Sequence, residues 1–325
     1  MPPSSDTAVA IGVDIGGTTS KTALVGRGPS VLERKQLPMD PGEEPAAVVR
    51  KLAAVLRRLQ TAAGSDALPV GIGCAGLVDM ESGVVRTSPN LPAWKNVPRA
   101  TMLAQELGVV VVLDNDANVF SIAEGLYGAA KDSQDAVFLT LGTGVGGGLK
   151  LGGRMYTGSC GFAGEIGHLT IDVDGPVCSC GNRGCLESFV GSARIVNRAR
   201  MLIEEQGRQR EWLTSRVGSL DELSARDVGQ AASENDEIAV RVFEEVGNYI
   251  GVAVAGVVNL LNPDMVVIGG GVSNAGEPLL RAVRATVTRR AMGPSSQCVK
   301  IEPAQLGEDA GVIGAAMRAA GFHEG

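Results

Sequence analysis

The chain has 325 residues, with 29 Lys+Arg against 36 Asp+Glu for a net charge of −7, and it is 44% hydrophobic and 20% charged. That balance excludes a disordered chain and suits two domains of roughly 100–200 residues each. An acidic chain without a long basic run also lacks the clustered Lys and Arg on which nucleic-acid affinity depends, so a small-molecule partner is expected and nucleic acid is not.

The first residues, Met1-Pro-Pro-Ser-Ser-Asp-Thr, carry neither the basic nor the apolar region of a secretory signal. The longest apolar stretch, Ile250 to Leu261, is interrupted by Asn259 and falls short of the ~20 residues that span a bilayer, so no membrane partner is expected. Of six cysteines, Cys178, Cys180 and Cys185 crowd together while Cys74, Cys160 and Cys298 are scattered. This is a metal pattern and not a disulfide framework, and it fits a reducing cytoplasm.

In chain order, Ala8–Val13 is a short apolar run broken by Asp14-Ile-Gly16-Gly17-Thr18-Thr19 and resumed at Lys21–Val25, which predicts a β-hairpin with a glycine turn. Glu44–Ala63 repeats apolar residues at the helical period. Strands are expected at Val70–Cys74 and Val109–Leu113, the second a β-branched run of the type buried on both faces of a parallel sheet. Ala136–Leu151 then repeats the opening design, with Gly142-Thr143-Gly144-Val145-Gly146 as its turn. One unit used twice points to two related lobes facing each other across a cleft. Helices are expected over much of Ser192–Arg216 and Ala225–Leu261, followed by a strand, Met265–Ile268, entering Gly269-Gly270-Gly271. A small helix at Ala310–Ala320 is expected to fold back on the first lobe.

Asp14 followed by the Gly16-Gly17-Thr18-Thr19 turn places a carboxylate and free backbone N–H groups at a strand end, where they can cradle phosphate and hold Mg²⁺. The Gly142 turn resembles a dinucleotide fingerprint, but Leu149-Lys-Leu continues as strand where that fold needs a helix. Asp114-Asn115-Asp116-Ala117-Asn118 stands at the carboxyl end of a strand, the usual ligand position in α/β sheets. A helix cap is the ordinary role for such an Asp; as a base, Asp116 would take the proton of a substrate hydroxyl during in-line phosphoryl transfer. Cys178, Cys180 and Cys185 with His168 offer the closed shell of a structural Zn²⁺, a redox Cys pair being the alternative. Glu165 and Glu187 flank that shell and are suited to reading polyol hydroxyls, unless they are plain surface charges.

With these residues assembled, Val13–Lys21, Ser88–Trp94, Asn115–Asn118, Leu141–Gly146, Gly164–His168, Cys178–Glu187 and Ile268–Ser273 resemble the ROK family (repressors, open reading frames, kinases) of sugar kinases, and within it the bacterial glucokinases. The resemblance implies an α/β fold of two actin-like, ribonuclease-H-like lobes, a small one (1–116 with 305–325) and a large one (117–304) carrying the zinc loop. It implies ATP- and Mg²⁺-dependent phosphorylation of a hexose 6-hydroxyl, with Asp116 as base. Gly76, Asn90, Asn115, Asp116, Glu165, His168 and Glu187 would hold the sugar. Asp14, Gly16, Gly17, Thr18, Thr19, Lys21, Gly142, Thr143, Gly144, Gly269, Gly270 and Gly271 would hold ATP, and His168, Cys178, Cys180 and Cys185 would bind structural zinc. A cytoplasmic homo-oligomer, dimer or tetramer, is implied as well. An N-acetylhexosamine kinase is the neighbouring alternative within the family. A sugar-responsive repressor would need a DNA-reading segment ahead of Ala8, for which the sequence leaves no room, and a zinc-stabilised binding module without catalysis leaves Asp116 and the paired turns idle.

Overall fold

A computed structural model describes residues 7–88, 91–207 and 217–322. The chain divides into two compact units: Met1–Gln134, Gly148–Gly164 and Gln305–Gly325 form the first, and Asp135–Gly147 with Glu165–Ala304 the second.

The sheet of the first unit contains β1 (Ala8–Ile15), β2 (Thr19–Gly26), β3 (Val31–Pro38), β4 (Val70–Cys74) and β8 (Val111–Asn115) in the order β3-β2-β1-β4-β8. β1 runs antiparallel to β2 and parallel to β4, and β4 runs parallel to β8. A three-stranded sheet of β5 (Leu77–Asp79), β6 (Val84–Thr87) and β7 (Lys95–Val97) is inserted between β4 and β8. Helices α1 (Pro45–Ala63), α2 (Arg99–Leu107) and α3 (Asp116–Leu126) complete the chain up to this point. α1 starts one residue after Glu44, with proline in its first turn, and ends at Gly64 in the left-handed conformation. The predicted strand at Val109–Leu113 is displaced by two residues: Val110 is 66% exposed, and the strand runs on through Asp114 and Asn115 because their backbones pair with Gly73 and Cys74.

The second sheet has the order β11-β10-β9-β12-β13, built from β9 (Ala136–Leu141), β10 (Val145–Leu151), β11 (Arg154–Met155), β12 (Met265–Gly269) and β13 (Lys300–Pro303). Numbered from its own first strand, its order is 3-2-1-4-5, the same as the first sheet, so the repeat inferred from the two glycine turns extends to whole sheets. Among the described residues the remaining helices are α4 (Glu187–Val190), α5 (Ser192–Glu205), α6 (Ala225–Ser233), α7 (Glu237–Leu261), α8 (Glu277–Arg290), α9 (Gly293–Cys298) and α10 (Ala310–Ala319). The helical expectation for 208–216 lies outside the described residues. Most of the apolar run Ile250–Leu261 is core, with Ile250, Val254 and Val258 fully buried, although Leu260 is 81% exposed. Among the described residues no helix is long and apolar enough to cross a membrane.

α10 packs into the first unit at backbone distance. A Cβ on Gly71 of β4 would stand 1.7 Å from the Ala315 carbonyl oxygen, and one on Gly314 would stand 1.7 Å from that of Val119 in α3. Only glycine permits these approaches. They seat α10 against β1, β4 and α3, which also explains why 117–134 group with the first unit and not with the second, where the sequence reading placed them.

Candidate active site

In the first unit, Ile15, Cys74 and Asn115 occupy one row across the parallel strands β1, β4 and β8. Two strand spacings of ~4.8 Å each put the ends of β1 and β8 about 10 Å apart, so the Asp14 turn and Asp116 emerge from the same edge of one sheet. The turn is tight, with Gly16 N–H donating to the Thr19 carbonyl at 3.0 Å. Burial pushes the Asp14 carboxyl up, and the nearby Lys21 ammonium opposes that; Lys21 itself ion-pairs with Glu308 at 3.0 Å. A carboxylate at a glycine turn offers the hard oxygen donor that a cation such as Mg²⁺ takes. The same row holds Cys74, whose thiol is pushed up to about 12 by burial first, with Asp116 and Asp14 adding to the rise and Arg99 opposing it.

Asp116 is the first residue of α3, but the cap is Asn115. The Asn115 Oδ1 accepts from Ala117 N at 2.8 Å and Asn118 N at 3.4 Å, and its Nδ2 donates to the Gly76 carbonyl at 3.0 Å. The capping role considered for Asp116 therefore falls to its neighbour. Asp116 Oδ1 accepts from Ala117 N at 3.0 Å, which steadies a carboxylate at a helix N-terminus. The third member of the cluster, Asp114, is buried. It pairs with Arg318 of α10 at 3.0 Å and accepts from Asn118 Nδ2 at 2.8 Å; burial raises its pKa against these partners. Asp114 is thus structural, and no local pattern points to Arg318, 204 residues away. Asn90 lies outside the described residues.

In the second unit, the Gly142 turn closes through Gly142 N donating to the Gly144 carbonyl at 2.9 Å. The Gly142 carbonyl in turn accepts from Ser192, through Oγ at 2.7 Å and N at 3.0 Å. Gly269 pairs with Thr140 across β12 and β9. Gly270, at φ 86°, packs so closely that a Cβ would stand 2.3 Å from the Leu141 carbonyl oxygen. Gly269–Gly271 and the Gly142 turn therefore lie side by side.

Glu187, at the start of α4, reaches that turn. Its Oε2 accepts from Val145 N at 3.0 Å and its Oε1 from Ser179 Oγ at 3.3 Å, so it is no solvated surface charge; one carboxylate joins the glycine turn to the cysteine loop. His168 ends a short 3₁₀ turn after Glu165. Its Nδ1 lies 3.7 Å from Cys178 Sγ, while its Nε2 faces Glu165 Oε2 at 3.9 Å.

The ligand atoms of His168, Cys178, Cys180 and Cys185 all lie within 4.8 Å of one another. The Cys180–Cys185 Sγ separation is 3.8 Å, and a tetrahedron with Zn–S near 2.3 Å has edges of about 3.8 Å. The donor set and its spacing fit Zn²⁺ and not a redox pair. Among these thiols, burial opposes ionisation of Cys178, but hydrogen bonds from Cys180, Ser188 and His168 outweigh it and hold Cys178 at about 6; burial and the two other cysteines push Cys185 up to about 11. Gly184, at φ 70°, lets the loop turn back at a point where a Cβ would collide with the Asp172 carbonyl.

The chain matches the ROK family over residues 10–321. The chain belongs to the ROK family. A glucokinase of Thermotoga maritima is 38% identical over 309 residues, covering 94% of this chain and 95% of that protein. A putative xylose repressor of Caldicellulosiruptor is 32% identical over 94% of this chain and 76% of its own length. The crystal structure of a ROK family glucokinase from Streptomyces griseus in complex with glucose and AMPPNP superposes with a TM-score of 0.84 at 32% identity, covering 95% of this chain and 98% of the other. The α/β fold is therefore that of the actin-like ROK sugar kinases.

Proposed function

We propose that the protein transfers the γ-phosphoryl group of ATP to the 6-hydroxyl of glucose, giving glucose 6-phosphate and ADP. The observation that carries this reading is Asp116, set as the first residue of α3 on the sheet edge that also carries the Asp14 turn, with the neighbouring Asn115 relieving it of the capping role. Asp116 accepts the hydroxyl proton as the sugar oxygen bonds to the γ-phosphorus and the bond to the β-bridging oxygen breaks; ADP leaves with that electron pair. Glu165, His168 and Glu187 receive sugar hydroxyls, and the family resemblance assigns Asn90, Asn115 and Gly76 to the sugar as well. The Gly16–Thr19 and Gly142–Gly144 turns and Lys21 receive the phosphates, and Gly269–Gly271 lie by the adenosine. Mg²⁺, when bound, neutralises phosphate charge, and Asp14 would hold it. His168, Cys178, Cys180 and Cys185 would hold Zn²⁺, which would supply a structural anchor for the loop that carries Glu187 and no step of the chemistry.

A repressor reading shares the sugar-holding residues but has no use for the two glycine turns or for Asp116, so the kinase is preferred. ADP release is the test, measured with zinc-replete protein and Mg²⁺-ATP against glucose, mannose, fructose, N-acetylglucosamine, N-acetylmannosamine and no sugar. Glucose ahead by kcat/KM is expected. An N-acetylated sugar ahead would replace the substrate and keep the mechanism, and silence across the panel would overturn the kinase.

A further inference from the structure

Within the second unit, a surface cavity of about 660 Å³ is formed by α4, α5, α7 and the end of α8. Of its lining residues only Ser188, which hydrogen-bonds Cys178, enters the site described above. The volume lies in the range of small-metabolite pockets, roughly 300–1,000 Å³. Its charge is unbalanced: Arg194, Arg198 and Arg290 line it with a single carboxylate, Glu245. Arg198 takes that carboxylate bidentately, at 2.6 and 2.8 Å, and Arg241 approaches it from outside at 3.5 Å. Arg194 and Arg290 have no carboxylate partner among the described residues, and both are exposed.

Beside them, Phe189 and Tyr249 stack with ring centroids 4.6 Å apart and an interplanar angle of 27°, and Tyr249 is 40% exposed. Two unpartnered guanidinium groups beside an aromatic wall are complementary to a doubly charged phosphate on a compact ring body. Guanidinium forks bind phosphate oxygens in pairs, and ring faces pack on aromatic side chains. A plain cation is refused by the charge, and a purely apolar ligand would leave the arginines facing it unpaired.

We propose that this cavity binds a phosphomonoester of a small ring-bearing metabolite, the phosphate on Arg194 and Arg290 and the ring against Tyr249. The shared chemistry can come from a sugar phosphate or from a nucleoside monophosphate. Isothermal titration of the full chain, with the proposed kinase site filled by saturating glucose and AMPPNP, tests the cavity without any activity readout. The probes are glucose 6-phosphate, AMP and inorganic phosphate.

The expected result is one saturable site for at least one ester, tighter than for inorganic phosphate, with the better ester identifying its source. Arg194→Gln and Arg290→Gln should each weaken it roughly tenfold, given the strength of a charge-assisted hydrogen bond. The double variant should abolish it, with melting temperature, glucose binding and AMPPNP binding unchanged. Lysine at either position should recover part of the loss. No heat from any probe, or affinity in the double variant within twofold of wild type, would overturn the proposal. So would a wild-type oligomer that takes up no probe and is dispersed by the double variant, because the arginines would then serve a contact between copies.

Discussion

Replacing Gly144 by alanine tests whether Glu187 reads the sugar. An added Cβ would lie 2.3 Å from Glu187 Oε2, 3.1 Å from Cδ and 3.9 Å from Cγ, its three nearest neighbours. Gly144 is not among the residues at positive φ, so alanine fits the backbone and the nearest clash falls on the Glu187 carboxylate. To reach ordinary contact that group must swing away by about 1 Å or more, losing the bond from Val145 N at 3.0 Å. A hydrogen bond to a charged group is worth about 1.5–3 kcal/mol, and each ~1.4 kcal/mol is tenfold. If the carboxylate must hold its place to accept a sugar hydroxyl, the glucose Kd should rise roughly 10- to 150-fold. Calorimetric titration of glucose, with zinc content and a thermal melt measured on the same sample, checks this. Gly142→Ala is the companion variant, since a Cβ there meets nothing within 4 Å; with that glycine in the phosphate turn, it should raise the KM for ATP and leave the glucose Kd alone. A glucose Kd within twofold of wild type in folded, zinc-loaded Gly144→Ala would refute the role given to Glu187.

Asp116→Asn should keep the fold and glucose binding while kcat falls at least ~10²-fold; an unchanged kcat would remove Asp116 from the mechanism. Cys180→Ser should lose zinc and weaken glucose binding more than AMPPNP binding, because the loop that carries Glu187 loses its anchor while Gly269–Gly271 keep theirs; metal analysis beside calorimetry decides it. Gly71→Ala would drive a Cβ to 1.7 Å from the Ala315 carbonyl oxygen, a backbone clash that α10 must yield to. Overpacking of this type costs about 1–3 kcal/mol or more, seen as a melting temperature lower by roughly 2 °C or more; a melt within 1 °C of wild type would contradict the close seating of α10.

Local chemistry made much of this protein legible from its sequence. A glycine turn after an apolar strand is a backbone event, so β1–β2 and β9–β10 and their turns were readable where they stand. Three cysteines and a histidine offer a metal shell by donor type alone, and the spacing of their ligand atoms agrees. What the sequence left undecided depends on partners distant along the chain. Asp114 and Asp116 look alike in sequence, but Arg318 ties one into the fold, and the Asn115 cap relieves the other of the capping role. Glu187 looked equally like a surface charge until folding brought Val145 N to its oxygen. The displaced register of β8 was set by pairing with β4, and the grouping of 117–134 was set by glycines that let α10 approach α3 and β4 at backbone distance. Residue type and short spacing encode which groups are present. Which of them meet is fixed by strand register and by helix packing across hundreds of residues, and no local pattern carries that information.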